Sequence, residues 1–199
     1  MTEQTRYVIM KKRLEATLKK IDFLETELDW QSDVLLDQHG EFDDFYRSWC
    51  EENKVAVPEP PPQRKPPETE SEEPIEVDIP EETILGQEHF KVTYKQLAKI
   101  THPDKNDGDD EDFKILNDAW LHAKWSKIIY LANKHDIAIH NVKEIDKLLR
   151  QEAKDIEGLI DKNANMFSWK FWECGDDEKC KERLVKHFLK TMNKIHKGE

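Results

Sequence analysis

Between Phe90 and Ala123 the chain sets an imidazole, a proline, a carboxylate and an ammonium in a row, His102-Pro103-Asp104-Lys105, directly behind a run of lysines. Lys91, Lys95 and Lys99 recur every four residues, which places them on one face of a helix. Phe90, Tyr94, Leu97 and Thr101 form a second, mostly apolar stripe on the same helix. Pro103 has no N–H and disfavours helical geometry in the residue before it, so the helix is predicted to stop near Thr101–His102. After a polar turn, Phe113, Leu116, Ala119, Trp120 and Ala123 share one apolar face. The pattern predicts an antiparallel helical hairpin with the charged turn exposed at its tip. Fixed charges on an exposed turn beside a basic stripe are the chemistry of binding.

The local charge stands out against its background. The chain carries a net charge of −12, yet from Glu88 to Lys105 four lysines face only two acids, Glu88 and Asp104. Asp107, Asp109, Asp110, Glu111 and Asp112 follow at once. Those near the start of the next helix meet the positive end of its dipole, and the run is expected to shield the lysines from wrong partners.

These residues resemble the J domain of DnaJ-type co-chaperones. Tyr94-Lys95 with Leu97-Ala98 looks like the AYRKLA run of that family's second helix, and His102-Pro103-Asp104 follows at the expected distance. Phe113, Leu116, Asn117, Ala119 and Trp120 look like the F..IN.AY pattern of its third helix, with Trp in place of Tyr. The resemblance covers Phe90–Ala123 alone. The turn is about three residues shorter than in DnaJ, close to one helical turn, which preserves the inward face. J domains of polyomavirus T antigens have a similarly short turn. The family's first helix is not visible in full: Ile84-Leu85-Gly86 resembles a remnant of it but lies too close to His102-Pro103-Asp104, and Gln96 stands where many members carry a basic residue. The glycine/phenylalanine segment and zinc repeats of DnaJ itself are absent.

The resemblance implies that His102, Pro103 and Asp104 trigger ATP hydrolysis on a DnaK-type chaperone. Lys95 and Lys99, flanked by Lys91 and Lys105, would be the electrostatic landing strip. In that role Asp104 offers a carboxylate for a bidentate pair with a partner arginine, Pro103 fixes the turn, and His102 holds Asp104 outward. The lysines would speed association with an acidic groove in a salt-dependent way.

Four segments are expected in the chain, this module among them. Residues 1–55 form an N-terminal helical arm. Within it Tyr7, Leu14, Ile21, Leu28 and Leu35 are spaced by sevens, while the row three later is broken by Thr17, Gln31 and Gln38. The arm's long helix is predicted to stop at Gly40. Phe42, Phe45, Tyr46 and Trp49 then predict a short aromatic helix, read as core and folded back on the first. The heptads admit two uses, self-association through residues 7–35 or packing within the chain. Residues 56–83 are expected to be an acidic linker, since eight of the nine prolines lie from Pro58 to Pro80. Within it Ile75, Val77 and Ile79 alternate with acids.

Residues 84–134 form the J-like domain, whose second helix is expected to run on through Trp125, Ile128, Ile129 and Ala132. Residues 135–199 form a C-terminal helical region packed on the hairpin, its helices begun by Asn141 and Asp176. HscB-type proteins also place a helical domain after the J domain.

Composition bounds the remaining possibilities. Charged residues make up 37 % of 199, and mean hydropathy is −0.88. The acidic balance argues against nucleic acid or an anionic membrane as the main partner. No apolar run reaches the length of a membrane span, and three cysteines fit a reducing compartment. The expected location is the cytoplasm, that of a host cell if the chain is viral. Cys174 and Cys180 lie further apart than the usual zinc pair, with His187 and His196 nearby, and are read as buried or idle thiols. No phosphate loop, Ser-His-Asp order or paired apolar carboxylates appear, so neither catalysis nor a cofactor or metal is expected. The fold class is all-α. The competing reading is a coiled-coil assembly protein whose J-like hairpin is only scaffold.

Overall fold

The structure, a computed structural model, describes residues 2–57, 86–105 and 110–197. The proline-rich linker, Ile75 to Ile79, Ile84, Leu85, Asp107 and Asp109 therefore lie outside the described residues, as do the side chains of Tyr7 and His196. The fold is all-α. Among the described residues there are seven α-helices and one 3-10 turn: α1 Glu3–Glu52, α2 Gln87–Thr101, the turn Pro103–Lys105, α3 Glu111–Leu121, α4 Trp125–Lys134, α5 Val142–Ala164, α6 Phe167–Glu173 and α7 Glu178–Lys197.

These helices form two units that interleave in sequence. The first comprises Met1–Glu27 and Pro80–Gly158, the second Leu28–Ile79 and Leu159–Glu199. Both α1 and α5 thus contribute residues to each unit, and the segments 1–55 and 135–199 are each shared.

In the first unit, α3 packs on α2 and on α4. Phe90 and Leu97 of α2, Leu116 of α3, Ile128 and Leu131 of α4, and Leu149 of α5 all have 0 % exposure. Burying each such side chain contributes about 1.5–3 kcal/mol. The heptad residues Leu14 and Ile21 of α1, with Leu24, are buried in this same unit. There α1 is tied to α5 by Arg13–Asp146 (3.2 Å) and Lys20–Glu157 (2.7 Å), and to α4 by Glu25–Lys127 (2.6 Å). The partners of this row inside the chain are therefore not the aromatic segment that follows it. Gly86 opens α2 at φ 97°, and a Cβ there would lie 2.6 Å from Leu148 Cδ1, so only glycine fits.

In the second unit, Phe42, Tyr46 and Cys50 of α1 form a core with Phe171 of α6 and Val185 and Leu189 of α7. Phe45, Trp49, Phe167, Leu184 and Phe188 pack around it. The aromatic stripe is core, as its spacing predicts, but it packs on α6 and α7.

Three expectations on helix boundaries are corrected. Gly40 does not stop the first helix, because α1 is continuous to Glu52 and the aromatic segment is its last part. A glycine inside a helix costs only about 0.5–1 kcal/mol relative to Ala, too little to end a helix that is packed on both sides of it. The second helix of the hairpin does not run on. It ends at Leu121, and Ala123 turns left-handed at φ 54° before α4 begins. The cap of α7 is Asp177, whose Oδ1 accepts the Cys180 N–H at 3.1 Å, and not Asp176.

Candidate functional site

The expected hairpin is present, and its two faces divide as the stripes predict. Phe90, Leu97 and Thr101 of the predicted stripe are buried, as is Thr93 outside it, while Tyr94 is half-buried. Lys91, Lys95 and Lys99 stand in solvent on the opposite side, together with the exposed apolar side chains Val92 and Ile100. None of these lysines, nor Lys105, forms an ion pair with another described residue, in contrast to Lys114, Lys124 and Lys127. Four cations held in water without an ion-pair partner among the described residues keep their charge available for an incoming one.

The end of α2 shows why the turn takes its shape. Thr101 Oγ1 donates to the Leu97 carbonyl at 3.0 Å. His102 leaves the helix at ψ 132°, the extended geometry that a following proline imposes. Pro103 begins the 3-10 turn, where its missing N–H costs nothing, and Lys105 N–H closes the turn on the His102 carbonyl at 2.8 Å. The His102 ring lies against Phe113 of α3, with centroids 5.3 Å apart at 62°. Its Nδ1 accepts the Asp104 N–H at 3.3 Å and stands 3.5 Å from Asp104 Oδ2. The imidazole is thus braced between α3 and the turn. The Asp104 carboxylate beyond it is 85 % exposed, free to accept two parallel N–H bonds from a guanidinium.

The second helix of the hairpin is fixed to the first by the residues of the third-helix pattern. Tyr94 Oη donates to Asn117 Oδ1 at 2.8 Å, and the Tyr94 and Trp120 rings lie 4.3 Å apart. Burial pushes the Tyr94 hydroxyl above its ordinary range, which favours the donor form. Phe90 stacks on Trp125 of α4 at 4.9 Å with rings 4° from parallel. Asp112, at the start of α3, reaches both Lys134 and His135 at 2.8 Å. The Lys134 hydrogen bond, helped by His135, holds its carboxyl below the usual range against an opposing effect of burial.

Several features of this region have no signal in the sequence. The residues after α4 form a groove with the end of α2, about 670 Å³, bordered by Lys99, Ile100, Lys105, Ile137 and His140. A second groove of about 860 Å³ lies between α1, α3 and α4, with Leu18, Ile21, Ile115 and Tyr130 among its lining. Glu152 of α5 accepts the Ser126 N–H at 3.0 Å and the Ser126 hydroxyl at 2.5 Å, capping α4 from another helix. Each depends on helices distant in sequence, which no local pattern reports.

The cysteine expectation is corrected. Cys174 and Cys180 are not idle thiols. Their sulfurs are bonded at 2.10 Å, with Cα atoms 5.5 Å apart, across the turn that joins α6 to α7. Among the described residues no group of three or more His, Cys, Asp or Glu side chains is placed to hold a metal ion. No helix among them is long and apolar enough to cross a membrane. No protein-family model, curated protein or solved structure matches this chain.

Proposed function

We propose that this chain is a J-domain-type co-chaperone that recruits a DnaK-type ATP-hydrolysing chaperone and stimulates its ATPase. One observation carries the reading. An exposed His102-Pro103-Asp104 turn, braced by Phe113, sits at the end of a helix whose outward face holds Lys91, Lys95 and Lys99 without an ion-pair partner among the described residues. The two parts serve different steps. The lysines and Lys105 attract an acidic surface over a distance of roughly one Debye length, about 8–10 Å. Asp104 then makes the short-range, directional contact, a charge-assisted pair with an arginine. Its position is set by Pro103 and by the His102 ring, so little ordering entropy remains to be lost when it binds.

Binding of the full chain to a DnaK-type chaperone in the presence of ATP, at rising salt, tests this reading. The proposal expects association that weakens steeply with salt. It also expects reversal of Lys95 and Lys99 to glutamate to slow association while leaving the helical content intact. Absence of binding at low salt to the chaperones of its own cell would refute it.

A further inference from the structure

The second unit contains three cysteines in two chemical settings. Cys50 is fully buried in the aromatic core, and burial pushes its thiol upward, away from the reactive thiolate. Cys174 and Cys180 are only partly buried, within reach of small thiols and disulfides. They are six residues apart, Cys174 closing α6 and Cys180 in the first turn of α7. Between them Gly175 turns left-handed at φ 51°, and the Asp177 cap orients the start of α7.

The bridge spans an elbow on which the core depends. On one side of it α6 supplies Phe167 and Phe171, and on the other α7 supplies Val185, Phe188 and Leu189. Phe167 meets Phe188 edge to face at 5.1 Å, and both rings contact Phe42 of α1. Lys181, the residue after Cys180, lies over the Phe171 ring at 4.6 Å, so contacts across the elbow begin beside the sulfurs.

We infer that Cys174 and Cys180 are a reversible redox clasp on the α6–α7 elbow, closed by a small-molecule disulfide and opened by a thiol reductant. In closing, Cys180 loses its proton to solvent, and its thiolate attacks one sulfur of the oxidant RSSR. A mixed disulfide forms and RS⁻ leaves. Cys174 then loses its proton to solvent, and its thiolate attacks Cys180 Sγ and displaces the second RS⁻. Two protein thiols are oxidised and one RSSR becomes two RSH. Opening is the reverse, with two thiols of the reductant supplying the electrons. A thiol-rich compartment leaves the clasp open and an oxidising one closes it.

Opening restores conformational freedom to a ring of about seven residues. The chain-entropy relation for such a ring corresponds to a rise in local opening on the order of fifty-fold. The effect belongs to α6 and the first turns of α7, whose aromatic side chains become transiently accessible.

Hydrogen exchange of the full chain, in oxidised glutathione and in reduced glutathione, tests the clasp. Amides of residues 168–185 are expected to exchange on the order of fifty-fold faster when reduced, with residues 90–120 unchanged. Iodoacetamide should label neither Cys174 nor Cys180 in the oxidised native protein and both in the reduced one. The Cys174→Ser/Cys180→Ser variant should exchange like the reduced wild type in either medium, and the wild-type comparison stands without it. Equal exchange in both media, acceleration spread over both units, or free thiols after oxidation would each overturn the inference.

Discussion

The Tyr94 hydroxyl donates to the Asn117 side-chain carbonyl at 2.8 Å and so fastens α2 to α3 across the hairpin. The bond is partly buried and joins two residues of the sequence patterns that first marked this region. Tyr94→Phe keeps the ring against Trp120 and deletes only the donor. Stability is expected to fall by about 1–2 kcal/mol, since the Asn117 carbonyl loses its partner. Urea unfolding measures it, and a change below a few tenths of a kcal/mol would show that the bond contributes nothing.

Ala123 makes the break between α3 and α4 with a left-handed backbone that an L-residue adopts at a cost. Ala123→Gly should therefore stabilise the chain by roughly 0.5–1 kcal/mol, against the usual effect of glycine. A lower thermal midpoint for the variant would contradict the break.

Gly40 offers the opposite test. It is exposed within α1, with nothing within 4 Å of a would-be Cβ. Gly40→Ala is expected to stabilise by about 0.5–1 kcal/mol, read as a higher urea midpoint with unchanged slope. Destabilisation would mean that the helix does stop there.

Glu152 and Asp112 should give opposite pH dependences. Burial raises Glu152 above its ordinary value of 4.5, opposed by the two Ser126 hydrogen bonds. Its folded value exceeds its unfolded one, so its contribution is complete below the unfolded value and is lost as pH rises through the folded value. Glu152→Gln removes that loss, and the variant should gain on wild type as pH rises from about 4 to 7. Asp112 is held down, first by Lys134, so its contribution is present at neutral pH and lost as pH falls through the folded value. Asp112→Asn should therefore cost most at neutral pH and least in acid. Urea midpoints from about pH 4 to 7 measure the first and from about pH 7 down to about 2 the second, and a gap independent of pH over its own range would refute that assignment.

The parts of the fold legible in the sequence are those governed by local pattern. The stripe Phe90, Leu97 and Thr101 is buried, and α2 ends at Thr101 because Pro103 acts on the residue before it. The aromatic spacing of Phe42 and Tyr46 identified a core face without identifying what covers it, since α6 and α7 lie more than a hundred residues further on. The α3–α4 break carries neither Gly nor Pro, so no local signal marks it. Gly40 is the converse, a local signal overridden by packing along α1. The pairing of Cys174 with Cys180 depends on how an elbow folds, and composition alone pointed to free thiols. At the candidate site the residues and their order were legible, whereas the bracing of His102 by Phe113 and the groove beside Lys99 come from tertiary structure.

The most direct measurement is single-turnover ATP hydrolysis by a DnaK-type chaperone with the wild-type chain and with Asp104→Asn. Asp104 is 85 % exposed on a polar turn, so the substitution should change stability by no more than roughly 0.5 kcal/mol. It keeps the size and the backbone N–H that His102 accepts, and it removes the charge. Losing a desolvated pair with a partner arginine costs about 2–5 kcal/mol, enough to abolish stimulation. The account predicts stimulation by wild type and none by Asp104→Asn at equal helical content. Wild type that fails to stimulate the chaperone of its own cell, or an Asp104→Asn variant that stimulates equally, would contradict it.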